Sequence, residues 1–341
     1  MYRRIFTYLK LKIIKFIEQP LNMRNFLLKI FLLPWSVLFC IAVKMRLYFY
    51  NKGFIKSYKV NSFVISIGGI NWSGVGKTVL TKEICNFLSK KNIKLGVIVR
   101  KSAEEEAKVI TEEYNDVEVV CVDRKYEGVL ALKNKDVIVI DDGFQHFKIQ
   151  RDIDIVVIRE DIVLNTHLLL PAGMLREPLS HLKRAHYVLV NTSNRDNHAQ
   201  LKQKLGKFVS EDSIFFFKYN PLYLWNPLSG QKIDLDVIRN KKVSVFCGVG
   251  NPQSLIYMLK DLGAKFMHIK IFPDHYKYRP YDLDEIAEGS KNADFLITTF
   301  KDFWRMQNLL KETILQKMLI LQINLVFEDG FLEKLYEQIK L

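Results

Sequence analysis

Cysteine is sparse and scattered, at positions 40, 85, 121 and 247, with no Cys-x-x-Cys pair. That spacing excludes a zinc-finger pattern and offers no disulfide framework, so reduced thiols in a cytosolic setting are expected. Glycine (16) and proline (9) are also few in 341 residues, which excludes a collagen-like, linker-dominated or disordered chain. Acids are nearly missing from the first 60 positions, where Glu18 stands alone against twelve Lys/Arg. This end therefore holds +11 of the net +14, leaving +3 for the other 281 residues. Such asymmetry points to an anionic partner, nucleic acid or membrane. The length allows about two domains.

The apolar content of the basic end favours a membrane. Phe26 to Val43 is apolar except for Lys29 and Ser36, close to the roughly 20 residues of a spanning helix. Lys29 lies near one end, where its ammonium is expected to snorkel outward. Upstream, Tyr2 to Ile17 mixes Ile, Leu and Phe with five basic residues, the pattern of a helix lying on an anionic leaflet. A cleaved signal peptide is disfavoured, because Lys44-Met-Arg46 follows the run where a small-x-small site would stand. Nucleic acid would call for basic residues with less Leu, Ile and Phe between them. A buried core helix is the remaining alternative. The expected anchor is monotopic or a single span, with the bulk of the chain cytoplasmic.

Phe63 to Ile67 is β-branched and uncharged and reads as a buried strand. Gly68-Gly-Ile-Asn-Trp-Ser-Gly-Val-Gly-Lys-Thr78 follows, then a helical pattern from Val79 to Lys90. Strand, glycine-rich turn ending in Gly-Lys-Thr, and helix are the context of a phosphate-binding loop. Backbone N–H groups of Asn71, Trp72, Ser73, Gly74, Val75, Gly76, Lys77 and Thr78 would wrap nucleotide phosphates. Lys77 would neutralise β/γ oxygens and Thr78 would place a hydroxyl on Mg²⁺. The strict motif has glycine where Asn71 stands.

Further strands are expected at Leu95–Val99, Val117–Val122, Asp136–Asp142, Ile153–Ile158 and Tyr187–Asn191. Their alternation with helical segments argues an α/β fold with a doubly wound parallel sheet. Ligands bind such sheets at the strands' carboxyl ends. Asp141 and Asp142 occupy one of those ends and read as a Mg²⁺-managing pair.

Asp141-Asp-Gly-Phe-Gln-His146 and Leu169-Leu-Pro-Ala-Gly-Met-Leu-Arg-Glu-Pro178 resemble the DDGFQH and LLPAGxLREP boxes of the tetraacyldisaccharide 4'-kinases of lipid A biosynthesis. The Gly68–Thr78 loop is similar to that family's own variant, which also lacks the first glycine. Phe246 to Pro252, Phe272-Pro-Asp-His-Tyr276 and Thr298-Thr-Phe-Lys-Asp302 resemble three further boxes, in order, over about residues 25 to 325. The resemblance implies two α/β/α lobes and an N-terminal membrane helix at the cytoplasmic face of the inner membrane. It implies transfer of the γ-phosphate of ATP, with Mg²⁺, to the 4'-hydroxyl of a tetraacyldisaccharide 1-phosphate. The partners implied are that acylated lipid and the anionic leaflet, with neither nucleic acid nor an obligate protein partner.

By the same resemblance, Lys77, Asp142 and His275 carry catalysis, and Thr78, Asp141 and Asp142 hold the metal. Gln145, His146, Arg176 and Glu177 face the nucleotide or acceptor. His275, behind Asp274, would orient or tune the base. Without the resemblance, Arg176–Glu177 reads as a surface ion pair and His275 as a turn histidine. The chain departs from the family where Val99-Arg-Lys-Ser-Ala103 replaces S-R-G-Y-G and no Gly-Asp-Glu follows. The Asp of that triplet is the family's proposed base. Glu112 and Glu113 are the carboxylates expected to substitute, and Glu104-Glu-Glu106 is expected to be a solvated helix face. Ser73 replaces a Gly, Gly69 an Asn and Phe300 a Glu.

The expected organisation is a membrane segment at 1–60, a P-loop lobe at 61–205, a two-stranded ribbon at 206–240 turning at Asn220-Pro221, and a second α/β lobe at 241–341. Two other functions are compatible with these motifs. One is a membrane-tethered ATPase switch that needs neither His275 nor Arg176. The other is a non-catalytic homologue that binds a lipid A precursor.

Overall fold

The computed structural model describes residue 16 and residues 26–72, 74–111, 117–165, 167–192, 195–328 and 330–339. Most of the expected basic helix at 2–17, together with Ser73, Glu112 and Glu113, lies outside them. The chain forms two compact units, Met1–Lys218 with Leu325–Leu341, and Tyr219–Asn324.

The first unit opens with α1 (Phe26–Asn51). At 1.5 Å per residue its 26 residues extend about 39 Å. Its best 18-residue window has a mean hydropathy of 2.3 and is only 11% buried. Lys29 and Ser36 are the inward positions. Lys29, expected to snorkel, is instead fully buried, with its ammonium 5.4 Å from the centroid of the Phe16 ring. The Ser36 hydroxyl donates to the Leu169 carbonyl (2.9 Å) and accepts from the Ala172 N–H (3.1 Å). Two hydrogen bonds thus tie α1 to the Leu169–Pro178 loop.

The core of this unit is a parallel sheet in which β1 (Phe63–Gly68) lies between β4 (Val137–Asp141) and β5 (Ile153–Arg159). Beyond β4 come β2 (Leu95–Arg100) and β3 (Val117–Val122). Beyond β5 come β6 (Tyr187–Asn191) and the first residues of β7 (Ile214–Trp225). The central strands are buried along nearly their whole length, as expected of β-branched runs covered on both faces. One face carries Val64, Ile98, Ile138 and Ile140, and the other Phe144, Val156, Ile158 and Val188. Between its strands this unit carries α2 (Lys77–Ser89), α3 (Glu104–Thr111), α4 (Lys125–Ala131), α5 (Glu160–Leu164) and α6 (His198–Leu205).

The second unit holds β8 (Lys232–Ile233), β9 (Lys242–Cys247), β10 (Lys265–Ile271), β11 (Phe295–Thr299) and most of β12 (Met318–Phe327). Four of these form a parallel sheet in the order β10-β9-β11-β12. It is covered by α7 (Pro252–Asp261), α8 (Pro280–Gly289), α9 (Phe300–Met306) and α10 (Glu312–Leu315).

The two-stranded ribbon expected at 206–240 does not turn at Asn220-Pro221. β7 runs unbroken through Pro221, and its antiparallel partner is β8, pairing at Leu224–Ile233 and Trp225–Lys232. Proline suits an extended backbone wherever its missing N–H is not needed for pairing. The last helix, α11 (Phe331–Gln338), belongs to the first unit. There Phe331 packs on Tyr187 and Phe215, with ring centroids 5.8 and 5.2 Å apart.

Candidate active site

β1 ends on Gly68, where a Cβ would sit 2.4 Å from the Phe144 Cβ, so the loop can start only on a residue without a side chain. Asn71 is fully buried and Trp72 largely exposed. The Trp72 N–H bonds to the Met174 carbonyl (2.8 Å) and the Arg176 N–H to the Ile70 carbonyl (2.6 Å). The Leu169–Pro178 box is thereby fastened to the phosphate loop. Gly74 (φ 74°) and Gly76 (φ 94°) are both left-handed, and α2 begins at Lys77. Left-handed residues before a helix N-terminus turn successive N–H groups into one concavity, an anion cradle.

Asp141 closes β4, and Asp142 turns the chain with φ 51°. Its carboxylate meets two cations. Lys77 Nζ is 2.5 Å from Oδ1, while Arg176 donates Nη2 to Oδ1 (2.8 Å) and Nη1 to Oδ2 (3.1 Å). Burial alone would raise the Asp142 carboxyl, but the Lys77 and Arg176 charges outweigh it and hold the group well below the usual carboxylate range. Burial pushes the Asp141 carboxyl the other way, to about 7, and the Glu106 charge adds to the rise. Two adjacent carboxylates therefore have opposite proton affinities. Lys125, which no sequence motif marks, donates its buried ammonium to the Asp141 and Asp142 carbonyls.

Arg176 and Glu177 do not form a surface ion pair. Arg176 turns to Asp142 and the Gly69 carbonyl (2.8 Å). Glu177 turns inward, almost fully buried, and accepts from Gln145 Nε2 (2.8 Å) and Arg184 Nη2 (2.5 Å) and pairs with His181 Nδ1 (2.7 Å). Gln145 also donates to the Gly69 carbonyl (3.0 Å). Gln145 and Glu177 thus brace the phosphate loop from behind. Burial pushes His146 down to about 3, with the Lys125 charge adding to the effect, so its imidazole is neutral. His181 and Arg184 lay just past the Leu169–Pro178 box without a motif to mark them.

The glutamates of α3 also differ from expectation. α3 starts three residues past the carboxyl end of β2 and packs on α2 and β2 through Ala103, Ala107 and Ile110. Glu104 is exposed, whereas Glu105 and Glu106 are half-buried. Glu106 lies on the flank of the packed face, since residues three and four apart share a helix side.

In the second unit, two of the quoted boxes meet at Asp302, which is fully buried. It accepts from the Gly248 N–H (3.0 Å), the Tyr278 hydroxyl (2.9 Å), the Thr299 hydroxyl (2.7 Å) and Arg305 Nη1 (3.3 Å). Arg305 also donates to the Gly248 carbonyl (2.8 Å), and its Nη2 reaches His275 Nδ1 at 3.4 Å. His275 itself is exposed and left-handed (φ 55°), with Nε2 3.9 Å from Asp274 Oδ2. Arg305 was not anticipated, although it lies one turn beyond Asp302.

The donors in the first unit suit a nucleotide phosphate with Mg²⁺. The left-handed Gly74 and Gly76 leave the cradle free of side chains, and hard oxygen donors stand beside it at Thr78, Asp141 and Asp142. Among the described residues no cluster of three or more His, Cys, Asp or Glu could hold a metal. Mg²⁺ does not require one, because it commonly takes one or two carboxylates and completes its shell with substrate phosphates and water.

Comparison with known proteins identifies the family. The sequence model of the tetraacyldisaccharide-1-P 4'-kinases matches residues 28–340. Tetraacyldisaccharide 4'-kinase of Halothermothrix orenii is 30% identical over 303 residues, covering 77% of this chain and 79% of that protein. The enzyme of the same name from Elusimicrobium minutum is 29% identical, covering 85% and 86%. The crystal structure of "apo" form LpxK from Aquifex aeolicus in complex with ATP superposes with a TM-score of 0.70 at 25% identity, covering 92% of this chain and all of that one. The chain therefore belongs to the tetraacyldisaccharide-1-P 4'-kinase family.

Proposed function

We propose that this chain transfers the γ-phosphoryl group of ATP to the 4'-hydroxyl of a tetraacyldisaccharide 1-phosphate, a lipid A precursor, at the cytoplasmic face of the inner membrane. The observation that carries the reading is the convergence of Lys77 and Arg176 on Asp142 beside an anion cradle. ATP and Mg²⁺, when bound, supply the transferable group and neutralise its charge. The N–H groups around Gly74 and Gly76 hold phosphate oxygens. Lys77 stabilises charge on them, and Arg176 keeps the Asp142 carboxylate ionised and aimed. Thr78, Asp141 and Asp142 would hold the metal. The acceptor's proton needs a base. We assign it to α3, to Glu105 or Glu106: both are half-buried, and the Glu106 charge acts on Asp141, which supports that role over a solvated face. His275, by the family resemblance, would tune the base.

The acceptor carries four acyl chains, so it stays in a bilayer, and α1 supports an enzyme that comes to it. Its exposed Leu27, Phe31 and Trp35 are the surface a lipid would cover. The basic excess of the first 60 residues suits an anionic leaflet.

The test is transfer from labelled ATP to a tetraacyldisaccharide 1-phosphate in detergent micelles. Lysine-dependent transfer, lost in Lys77→Ala, is expected. ATP binding without transfer to this acceptor would refute the assignment and favour a switch ATPase or an inactive homologue.

A further inference from the structure

Lys125 occupies a place that local forces disfavour. It is the first residue of α4, where the positive end of the helix dipole repels a cation. It is 3% exposed, although lysine is rarely buried without a partner. Both of its hydrogen bonds go to main-chain carbonyls, those of Asp141 and Asp142, the latter at 2.8 Å. These two peptides form the turn at which Asp142 adopts φ 51°, a left-handed conformation that residues with a side chain adopt rarely. An ammonium bridging consecutive carbonyls opposes relaxation of that turn. The turn in turn aims the Asp142 carboxylate at Lys77 and Arg176.

We propose that Lys125 is a positioning residue for the metal-binding carboxylates, clamping the Asp141 and Asp142 carbonyls so that both side chains point into the phosphate site. The proposal rests on the nucleotide–metal reading of that site. Lys125 itself touches neither substrate nor metal. It acts as an outer-shell group does in other metal sites, where loss of such a partner weakens metal binding about 10- to 100-fold.

The experiment uses the full chain in detergent micelles with a non-hydrolysable ATP analogue and Mn²⁺, reading free Mn²⁺ by electron paramagnetic resonance. Lys125→Met is expected to weaken Mn²⁺ binding by about 10-fold or more, while analogue affinity measured in chelator stays near wild type. Val129→Ala, a core change in the same helix (Val129 is 2% exposed), is expected to lower Tm without moving Mn²⁺ affinity. Lys125→Arg, which keeps a cation with several donors, is expected to recover part of the loss. A folded Lys125→Met that binds Mn²⁺ like wild type would overturn the positioning role alone. If Lys125→Met does not fold, Lys125→Gln is read in its place. It keeps one donor and is expected to weaken Mn²⁺ binding to a smaller degree, and wild-type binding by it overturns the role equally. Wild type holding no Mn²⁺ with the analogue would overturn the nucleotide–metal reading and this role with it.

Discussion

Arg176 grips Asp142 with two parallel hydrogen bonds, Nη2 to Oδ1 at 2.8 Å and Nη1 to Oδ2 at 3.1 Å. The same Nη2 also binds the Gly69 carbonyl at 2.8 Å. One guanidinium therefore joins the start of the phosphate loop to the acidic turn after β4. A lysine would keep the charge but not the fork. Hydrogen bonds to charged groups contribute about 1.5–3 kcal/mol, so Arg176→Lys should lower kcat about 10- to 100-fold. Phosphoryl transfer in micelles measures it, and a kcat equal to wild type would show the fork to be dispensable.

The α3 glutamates give the second prediction. Glu105→Gln and Glu106→Gln keep the size of the side chain and remove its ability to accept a proton. If the base stands here, one of the two should lower kcat by about 100-fold or more, with little change in Tm or in ATP binding. The exposed Glu104→Gln should leave turnover unchanged. Wild-type kcat in both Glu105→Gln and Glu106→Gln would move the search to Glu112 and Glu113.

Glu177, almost fully buried among Gln145, His181 and Arg184, bears on stability. Burial would raise its carboxyl, but the hydrogen bond with His181 and the Arg184 charge prevail and lower it from the ordinary 4.5. A carboxyl lowered on folding stabilises the native state fully above the unfolded value, and loses that contribution as pH falls through the folded one. Glu177→Gln should therefore reduce stability at pH 7 by about 3–5 kcal/mol, the range for breaking a buried ion pair. Its deficit relative to wild type should shrink below about pH 4.5. Thermal melts across pH 3 to 8 follow this, and a deficit independent of pH would contradict it.

The strands β1 to β6 were readable because β-branched runs such as Val137-Ile-Val-Ile140 are buried on both faces and need no partner's identity to be recognised. The phosphate loop was readable because glycine and lysine at fixed spacing mark a backbone shape. Lys125 was not, since a lysine's sequence surroundings say nothing about two carbonyls sixteen and seventeen residues away. Glu104 is exposed as expected, whereas Glu105 and Glu106 differ, because a run of three acids looks solvated until Ala103, Ala107 and Ile110 define the packed face. Pro221 suggested a turn because proline commonly ends strands, yet β7 passes through it. Charge pairing between distant segments, such as Glu177 with Arg184 rather than with its neighbour Arg176, leaves no local periodicity to find.

The last prediction separates framework from function in the second unit. Asp302 gathers the Gly248 N–H, two hydroxyls and Arg305, so Asp302→Ala would strand several buried donors. Each unsatisfied buried group costs about 1–3 kcal/mol, and Tm should fall by several degrees along with activity. His275 is exposed, so its loss removes little packing. Arginine only donates, so the contact from Arg305 leaves His275 Nδ1 as an acceptor and its proton on Nε2. His275→Ala should then lower kcat by about 10-fold or more at unchanged Tm, with ATP binding intact. Equal losses of Tm and kcat in His275→Ala would make the histidine structural, and unchanged kcat would remove it from the reaction.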